Sequence, residues 1–249
     1  MSIEILQQFE TVSLREIDAV KLMNRVDTKF VFHISCYDEI VKKMLHDYKV
    51  LNIEGITNCR YENLYYDTKD FTFYFKHHNG KLNRYKIRYR NYKESNLNFF
   101  EIKFKSNKSR TIKKRIKTDS IEYSFSRKAE MFLKEFTSFL PEELHPILKI
   151  FYTRTTFVGK YSKERVTIDT QLEFSDGNKC CSLDYLVIAE VKQDISARSP
   201  FKTIMKEKHI REGSISKYCL GIIEMYPGLK SNLFKSKIRQ VKKICNETN

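Results

Sequence analysis

The chain has 249 residues, 41% of them hydrophobic and 13% aromatic, with no tryptophan. That is enough for a sizeable core, and with only 7 glycines and 4 prolines no flexible linker marks a domain boundary. With 46 Lys and Arg against 31 Asp and Glu the formal net charge is +15, which points to a polyanionic partner: nucleic acid, an anionic membrane surface, or a phosphorylated molecule or polymer.

Six cysteines occur without a Cys-x-x-Cys pair or a histidine at zinc spacing, so free thiols in a reducing compartment are expected. Residues 1–18 hold no apolar signal-peptide core, and no run approaches membrane-spanning length. The expectation is a soluble, cytoplasmic chain folded as one unit over 1–249.

In chain order, apolar spacing predicts one or two helices within 3–23, then a strand from Arg25 to Ile34. Ser35 is a candidate N-cap for a helix over 37–48, and a second strand follows over 59–66. Asp67 and Thr68 are placed to cap a helix over 69–77, and Asn79-Gly80 signals a turn. The segment Asn83–Tyr92 sets Arg84, Lys86, Arg88 and Arg90 on even positions and Tyr85, Ile87 and Tyr89 on odd ones. In a strand this gives one cationic and one apolar face.

Strands over 99–105 and 110–117 follow through short turns, then a helix over 126–139 stopped by Pro141. Further strands are read over 147–158, 163–171 and 183–192, and helices over 201–208 and 216–225. A basic amphipathic helix over about 231–244 ends the chain. About eight strands joined by turns or single helices define an α+β antiparallel barrel with flanking helices, and the lack of regular strand–helix alternation disfavours a doubly wound sheet.

No Walker loop, Gly-x-Gly-x-x-Gly, kinase catalytic loop or Gly-x-Ser-x-Gly elbow is present. Any phosphate chemistry must therefore use side chains from strands. Cations do recur at one parity of successive strands: Lys29, Arg88, Arg90, Lys103, Lys113, Arg115, Arg154 and Arg165. Turned outward they form a solvated wall. Turned inward they require water and a compensating polyanion, since unpaired charges are costly to bury. Arginine suits bidentate contact with phosphate oxygens and lysine supplies point charge. Glu190 among these cations is either an ion-pair partner or, with phosphates present, a ligand for a divalent metal.

The succession Arg25-Val-Asp-Thr-Lys-Phe30, Lys-Ile-Arg88-Tyr-Arg90, Glu-Ile-Lys103, Ile-Lys113-Lys-Arg115, Tyr152-Thr-Arg154-Thr, Arg165-Val-Thr-Ile-Asp169, Ala-Glu190-Val-Lys192 and Ser-Ile-Ser216-Lys217-Tyr resembles the VTC (vacuolar transporter chaperone) domain. This is the polyphosphate polymerase branch of the triphosphate tunnel (CYTH-like) superfamily, and the resemblance covers about residues 25–222. It implies an antiparallel tunnel with a basic interior. It further implies metal-dependent transfer of the terminal phosphoryl group of ATP to inorganic polyphosphate. By motif, Lys29, Arg88, Arg90, Lys103, Lys113, Tyr152, Arg154, Arg165, Lys192, Ser216 and Lys217 would bind phosphates. Arg88, Arg90, Lys103, Arg154, Arg165 and Glu190 would serve catalysis, and Glu190 would hold Mn²⁺ or Mg²⁺.

Alongside these readings, Tyr152 has a place as an aromatic core residue and Ser216 as a helix N-cap. Hydrolytic relatives carry Glu-x-Glu-x-Lys where this chain has Arg25-x-Asp27-x-Lys29, which argues against a simple triphosphatase. A triphosphatase and a non-catalytic polyanion-binding module are the alternatives. Nucleic acid is the less favoured partner, because the tyrosines of 83–92 lie opposite the cations. Related domains sit beside membrane segments, so a separate membrane protein is the expected partner for any export.

Overall fold

The computed structural model describes residues 3–19, 25–108, 110–194 and 198–246. In chain order come α1 (Ile3–Leu6), β1 (Thr11–Val12), α2 (Leu14–Ala19), β2 (Arg25–His33), α3 (Tyr37–Met44), β3 (Tyr48–Leu51) and β4 (Asn58–Asp67). Then follow α4 (Thr72–His78), β5 (Arg84–Tyr92), β6 (Leu97–Lys105), β7 (Thr111–Thr118), α5 (Arg127–Phe136), β8 (His145–Gly159) and β9 (Glu164–Ser175). The chain continues with β10 (Cys180–Leu183), β11 (Leu186–Asp194), α6 (Pro200–Glu207), β12 (Glu212–Gly213), α7 (Lys217–Met225) and α8 (Lys235–Asn246).

Among the described residues the strands form one 12-stranded sheet along the path β12-β2-β11-β9-β8-β4-β5-β6-β7, with β3 on β8, β10 on β9 and β1 on β3. All ladders are antiparallel except the two-residue β1–β3 pair. The α+β class and the antiparallel sheet are as the sequence predicts. Closure and strand number are not: the terminal strands β12 and β7 share no hydrogen bonds, and twelve strands replace about eight. The additional strands are short segments without a readable period.

Side-chain parity gives the sheet two chemically different faces. On one face, Phe30, Phe32, Val166, Ile168, Val187, Ala189 and Val191 pack under Ile40, Val41 and Met44 of α3 and Phe201 and Met205 of α6. Farther along the same face, Leu64, Tyr66, Ile87, Tyr89, Phe100 and Ile102 pack under Phe132 and Leu133 of α5. The other face is concave. Its first stretch is apolar: Leu148, Ile150, Leu172, Phe174, Leu186 and Ile188 hold α7 through Tyr218, Ile222 and Met225, with Val241 and Ile244 of α8 behind. Its remaining stretch carries the charged residues. A β-bulge makes the change possible on β9: the β8–β9 register shifts between Phe151 and Thr153, and Gln171 adopts φ 51. Asp169 before the bulge and Leu172 and Phe174 after it therefore share one face despite their opposite parity.

Helix ends differ from expectation for identifiable reasons. The helix predicted over 37–48 stops at Met44 because Tyr48 and Val50, both fully buried, pair with β8. The helix predicted over 69–77 starts at Thr72. Phe71 turns the chain at φ 54, while the buried Asp67 carboxylate accepts the Phe73 and Tyr74 N–H groups at 2.8 and 2.9 Å. The predicted helical stretch over 3–23 resolves into α1, β1 and α2; its residues 20–23 lie outside the described ones. The basic tail begins with a 3₁₀ turn, Asn232–Phe234, and its helix runs to Asn246. The strand read over 183–192 divides into β10 and β11 around a turn.

Gly221 sets how closely α7 approaches the sheet. A Cβ built there would lie 2.6 Å from Phe174 and 2.7 Å from Leu148. Gly221→Ala is expected to lower stability by about 1–3 kcal/mol through overpacking, read as a reduced urea midpoint with unchanged m-value.

Candidate functional site

The alternation of β5 directs Lys86, Arg88 and Arg90 into the trough, and its neighbours direct theirs to meet them. Arg88 donates from Nε and Nη2 to Glu101 Oε2 at 2.8 and 2.6 Å, and from Nη1 to the Tyr65 hydroxyl at 2.6 Å. Lys113 reaches the other oxygen of Glu101 at 2.5 Å. Arg90, 8% exposed, donates to Asn63 Oδ1 at 2.9 Å and to the Tyr152 hydroxyl at 3.1 Å.

On the next strands Arg154 grips Asp169 with two hydrogen bonds of 2.6 and 2.7 Å, and Lys217, the first residue of α7, joins the same carboxylate at 2.5 Å. Glu190 lies between Lys29 and Lys192, 2.8 Å from each, and Lys192 is also 3.5 Å from Asp27. Lys86 donates to Ser216 Oγ at 2.9 Å, the same oxygen that caps α7 by accepting the Cys219 N–H. Aromatic rings brace the cations: Tyr61 stacks on Tyr152 at 5.1 Å, and the Arg154 guanidinium lies 5.0 and 5.2 Å from their centroids.

All the residues singled out from the sequence thus lie on one face, with two qualifications. Arg165, opposite Lys192 in register, turns its guanidinium to the Ile17 carbonyl at 3.0 Å. Arg115 is exposed and stacks over Phe99 at 4.5 Å. Both alternative placements, Tyr152 in the apolar core and Ser216 as a helix cap, are also realised, so each residue belongs to the core or the cap and to the trough at once.

Glu190 does not stand alone among the cations: Glu101 and Asp169, each 2% exposed, share the face. Sequence reasoning passed over both, although each sits at the parity of its strand's cations. It also passed over Tyr61 and Tyr65, aromatics on the cationic side that the tyrosines of β5 gave no reason to expect.

Burial alone would raise the carboxyl of Glu190, but Lys29 and Lys192 outweigh it and hold the group far below the usual carboxylate range. Arg88, Arg90 and Lys113 do the same for Glu101. The lysines move the other way. Burial, aided by neighbouring cations, pushes the half-buried Lys86 down to about 8; Lys103 and Lys113 are pushed the same way by the loss of surrounding water and by nearby cations, but both keep much of their side chains in solvent. Lys103 is influenced by Glu190 and Lys29, which share its face of the sheet. Neither Lys86 nor Lys103 has a carboxylate within ion-pair distance among the described residues.

An anion in the trough would restore the charged form of these lysines. Affinity for inorganic tripolyphosphate is therefore expected to fall as pH rises past about 8, with proton uptake on binding visible by calorimetry in buffers of different ionisation heat. Stability of the empty protein should move oppositely. The three lysines bind more protons unfolded than folded between about 8 and 10.5, so their contribution to stability rises with pH across that window; above about 9 the buried thiols of Cys59 and Cys219, whose pKa values are raised, oppose it.

No group of three or more His, Cys, Asp or Glu side chains able to hold a metal occurs among the described residues. A single wall carboxylate nevertheless fits the way Mg²⁺ and similar ions are usually held, through one or two carboxylates with phosphate oxygens and water completing the shell.

A sheet curled around a basic, aromatic-braced trough is the architecture of the triphosphate tunnel, or CYTH-like, class. Within it, the model of the VTC domain family matches residues 24–226, and the chain belongs to that family. Among solved structures, a candidate adenylyl cyclase from Hippeastrum described as having a dominant triphosphatase activity superposes with a TM-score of 0.51 at 11% identity, covering 80% of this chain and 97% of that one. A candidate adenylate cyclase from Vibrio parahaemolyticus gives 0.46 at 12% identity, over 80% and 99% of the two chains. One from Bacillus halodurans gives 0.45 at 14%, over 78% and 94%. A search of curated proteins finds no match.

Proposed function

We propose that the protein is an ATP–polyphosphate phosphotransferase, extending inorganic polyphosphate by the terminal phosphoryl group of ATP. The observation that carries this reading is the incomplete charge balance of the trough. Cations from both arms of the sheet converge, and Lys86 and Lys103 lack a carboxylate partner among the described residues until a polyanion enters. Membership of the VTC family supports the same substrate class.

In the transfer, the bond between the γ-phosphorus and the β–γ bridging oxygen of ATP breaks, and ADP leaves. A bond forms from a terminal oxygen of the polyphosphate to that phosphorus. The acceptor oxygen is already anionic near neutral pH, so no protein base is needed, and the work of the site is alignment and charge neutralisation. Arg88, Arg90 and Arg154 bring planar donor pairs to phosphate oxygens, while Lys29, Lys103, Lys113, Lys192 and Lys217 supply mobile charge. Tyr152 fixes Arg90 and Ser216 fixes Lys86. Arg165 closes the row at the α2 side. Glu190 would hold Mn²⁺ or Mg²⁺ once phosphates draw Lys29 and Lys192 away from it, and the ion would offset charge on the phosphoryl oxygens.

Pure protein incubated with ATP and Mn²⁺ is expected to yield long-chain polyphosphate and ADP. Release of orthophosphate without polymer would favour hydrolysis, the activity ascribed to the Hippeastrum protein. The Arg25-x-Asp27-x-Lys29 pattern weighs against that outcome. Polyanion binding without turnover would leave a binding module.

A further inference from the structure

Beside the trough, α4, α7 and α8 line a pocket of about 130 Å³ that opens to solvent, close in volume to the roughly 150 Å³ of apolar space that admits benzene elsewhere. One part of its wall is apolar, formed by Leu220, Ile223, Phe234, Ile238 and Val241. Another part presents Lys86, Lys237 and the hydroxyls of Ser214 and Ser216, and no acidic side chain lines it. His77 and Cys219 also line it and pair with each other, Nδ1 to Sγ at 3.0 Å. Burial first, then Lys86 and Arg84, push the His77 imidazole far down, so it stays neutral and adds no charge. A ring-sized apolar space ending in two ammonium groups and two hydroxyls matches an organic phosphate. The several donors suit three phosphate oxygens, whereas a carboxylate offers two.

We infer that this cavity binds a phosphate monoester carrying a ring-sized apolar group, its phosphate on Lys86, Lys237 and Ser216 and its ring against Phe234 and Ile238. Lys86 lines both the cavity and the trough, so such a ligand competes with trough phosphates for one cation and weakens their hold. The assignment does not depend on what reaction the trough performs; Lys86 and Ser216, hydrogen-bonded to each other, are shared between the two.

Phenyl phosphate is the probe. Calorimetry on the full chain is expected to show it binding at least about tenfold more tightly than inorganic phosphate, and more tightly than benzoate. It should also raise the apparent Kd for tripolyphosphate. Ile238→Trp, which fills the cavity from α8, should abolish the preference for phenyl phosphate while tripolyphosphate affinity stays within about twofold. In the unmutated protein, methyl NMR should show phenyl phosphate, and not inorganic phosphate, shifting Leu220, Ile223, Ile238 and Val241. Equal binding of phenyl and inorganic phosphate, tighter binding of benzoate, an unchanged preference in a folded Ile238→Trp, or unshifted cavity methyls would each overturn the assignment. Loss of polymerase activity alone would not touch it.

Discussion

In the Arg88→Ala variant, polymer formation from ATP is expected to drop by at least about a hundredfold in kcat/KM, equivalent to roughly 3 kcal/mol of lost stabilisation. Arg88 occupies the middle of the trough, its guanidinium oriented by Glu101 on one side and the Tyr65 hydroxyl on the other. A donor held in that way loses little freedom when a phosphate arrives, and this is why its removal should cost more than removal of a mobile lysine. Glu101 keeps Lys113 as partner in the variant, so the protein should still fold, and near-unchanged circular dichroism would separate lost chemistry from lost structure. Arg60→Ala provides the control: Arg60 is largely exposed and pairs with Glu94 on the rim, and its loss should leave activity within about twofold. Comparable activity in the Arg88 variant and the control would dismiss the trough as the site of transfer.

Glu101→Gln is expected to lower stability and at the same time enlarge the response to ligand. The carboxylate is 2% exposed and serves two cations, so neutralising it leaves Arg88 and Lys113 facing each other without compensation. Breaking a buried pair from one side typically costs about 3–5 kcal/mol; since Lys113 keeps 41% of its side chain in solvent, about 2–3 kcal/mol is expected. Tripolyphosphate supplies the missing negative charge. At saturating ligand the rise in thermal midpoint should therefore be larger in Glu101→Gln than in the parent protein. A smaller rise in the variant would mean that the anion does not sit beside Arg88.

Much of this site was legible in the sequence, because a strand's period of two is rigid. Once Arg88 and Arg90 share a face with each other and not with Tyr89, only the direction of that face remains open, and burying Ile87 and Tyr89 under α5 decides it. The carboxylates were harder to weigh. Glu101 and Asp169 stand at the right parity, but their value comes from partners across the neighbouring strands and on α7, whose register no local pattern encodes. The β9 bulge was invisible for a related reason: Gln171 is not a residue type that announces a positive φ. Sheet closure also lay beyond the sequence, because β12 is only two residues long and has no period at all.

The missing ladder between β12 and β7 has a mechanical consequence. In a sealed barrel, the girth is fixed by backbone hydrogen bonds and a threaded polymer must enter end-on. Among the described residues the two terminal strands share no ladder, so their spacing is held by side chains instead, such as Lys86 on Ser216 and Lys217 on Asp169 at the start of α7. Under the proposed function, an anion that supplies the missing charge between those flanks would itself become the clasp, and a polyphosphate could then enter from the side and not only end-on.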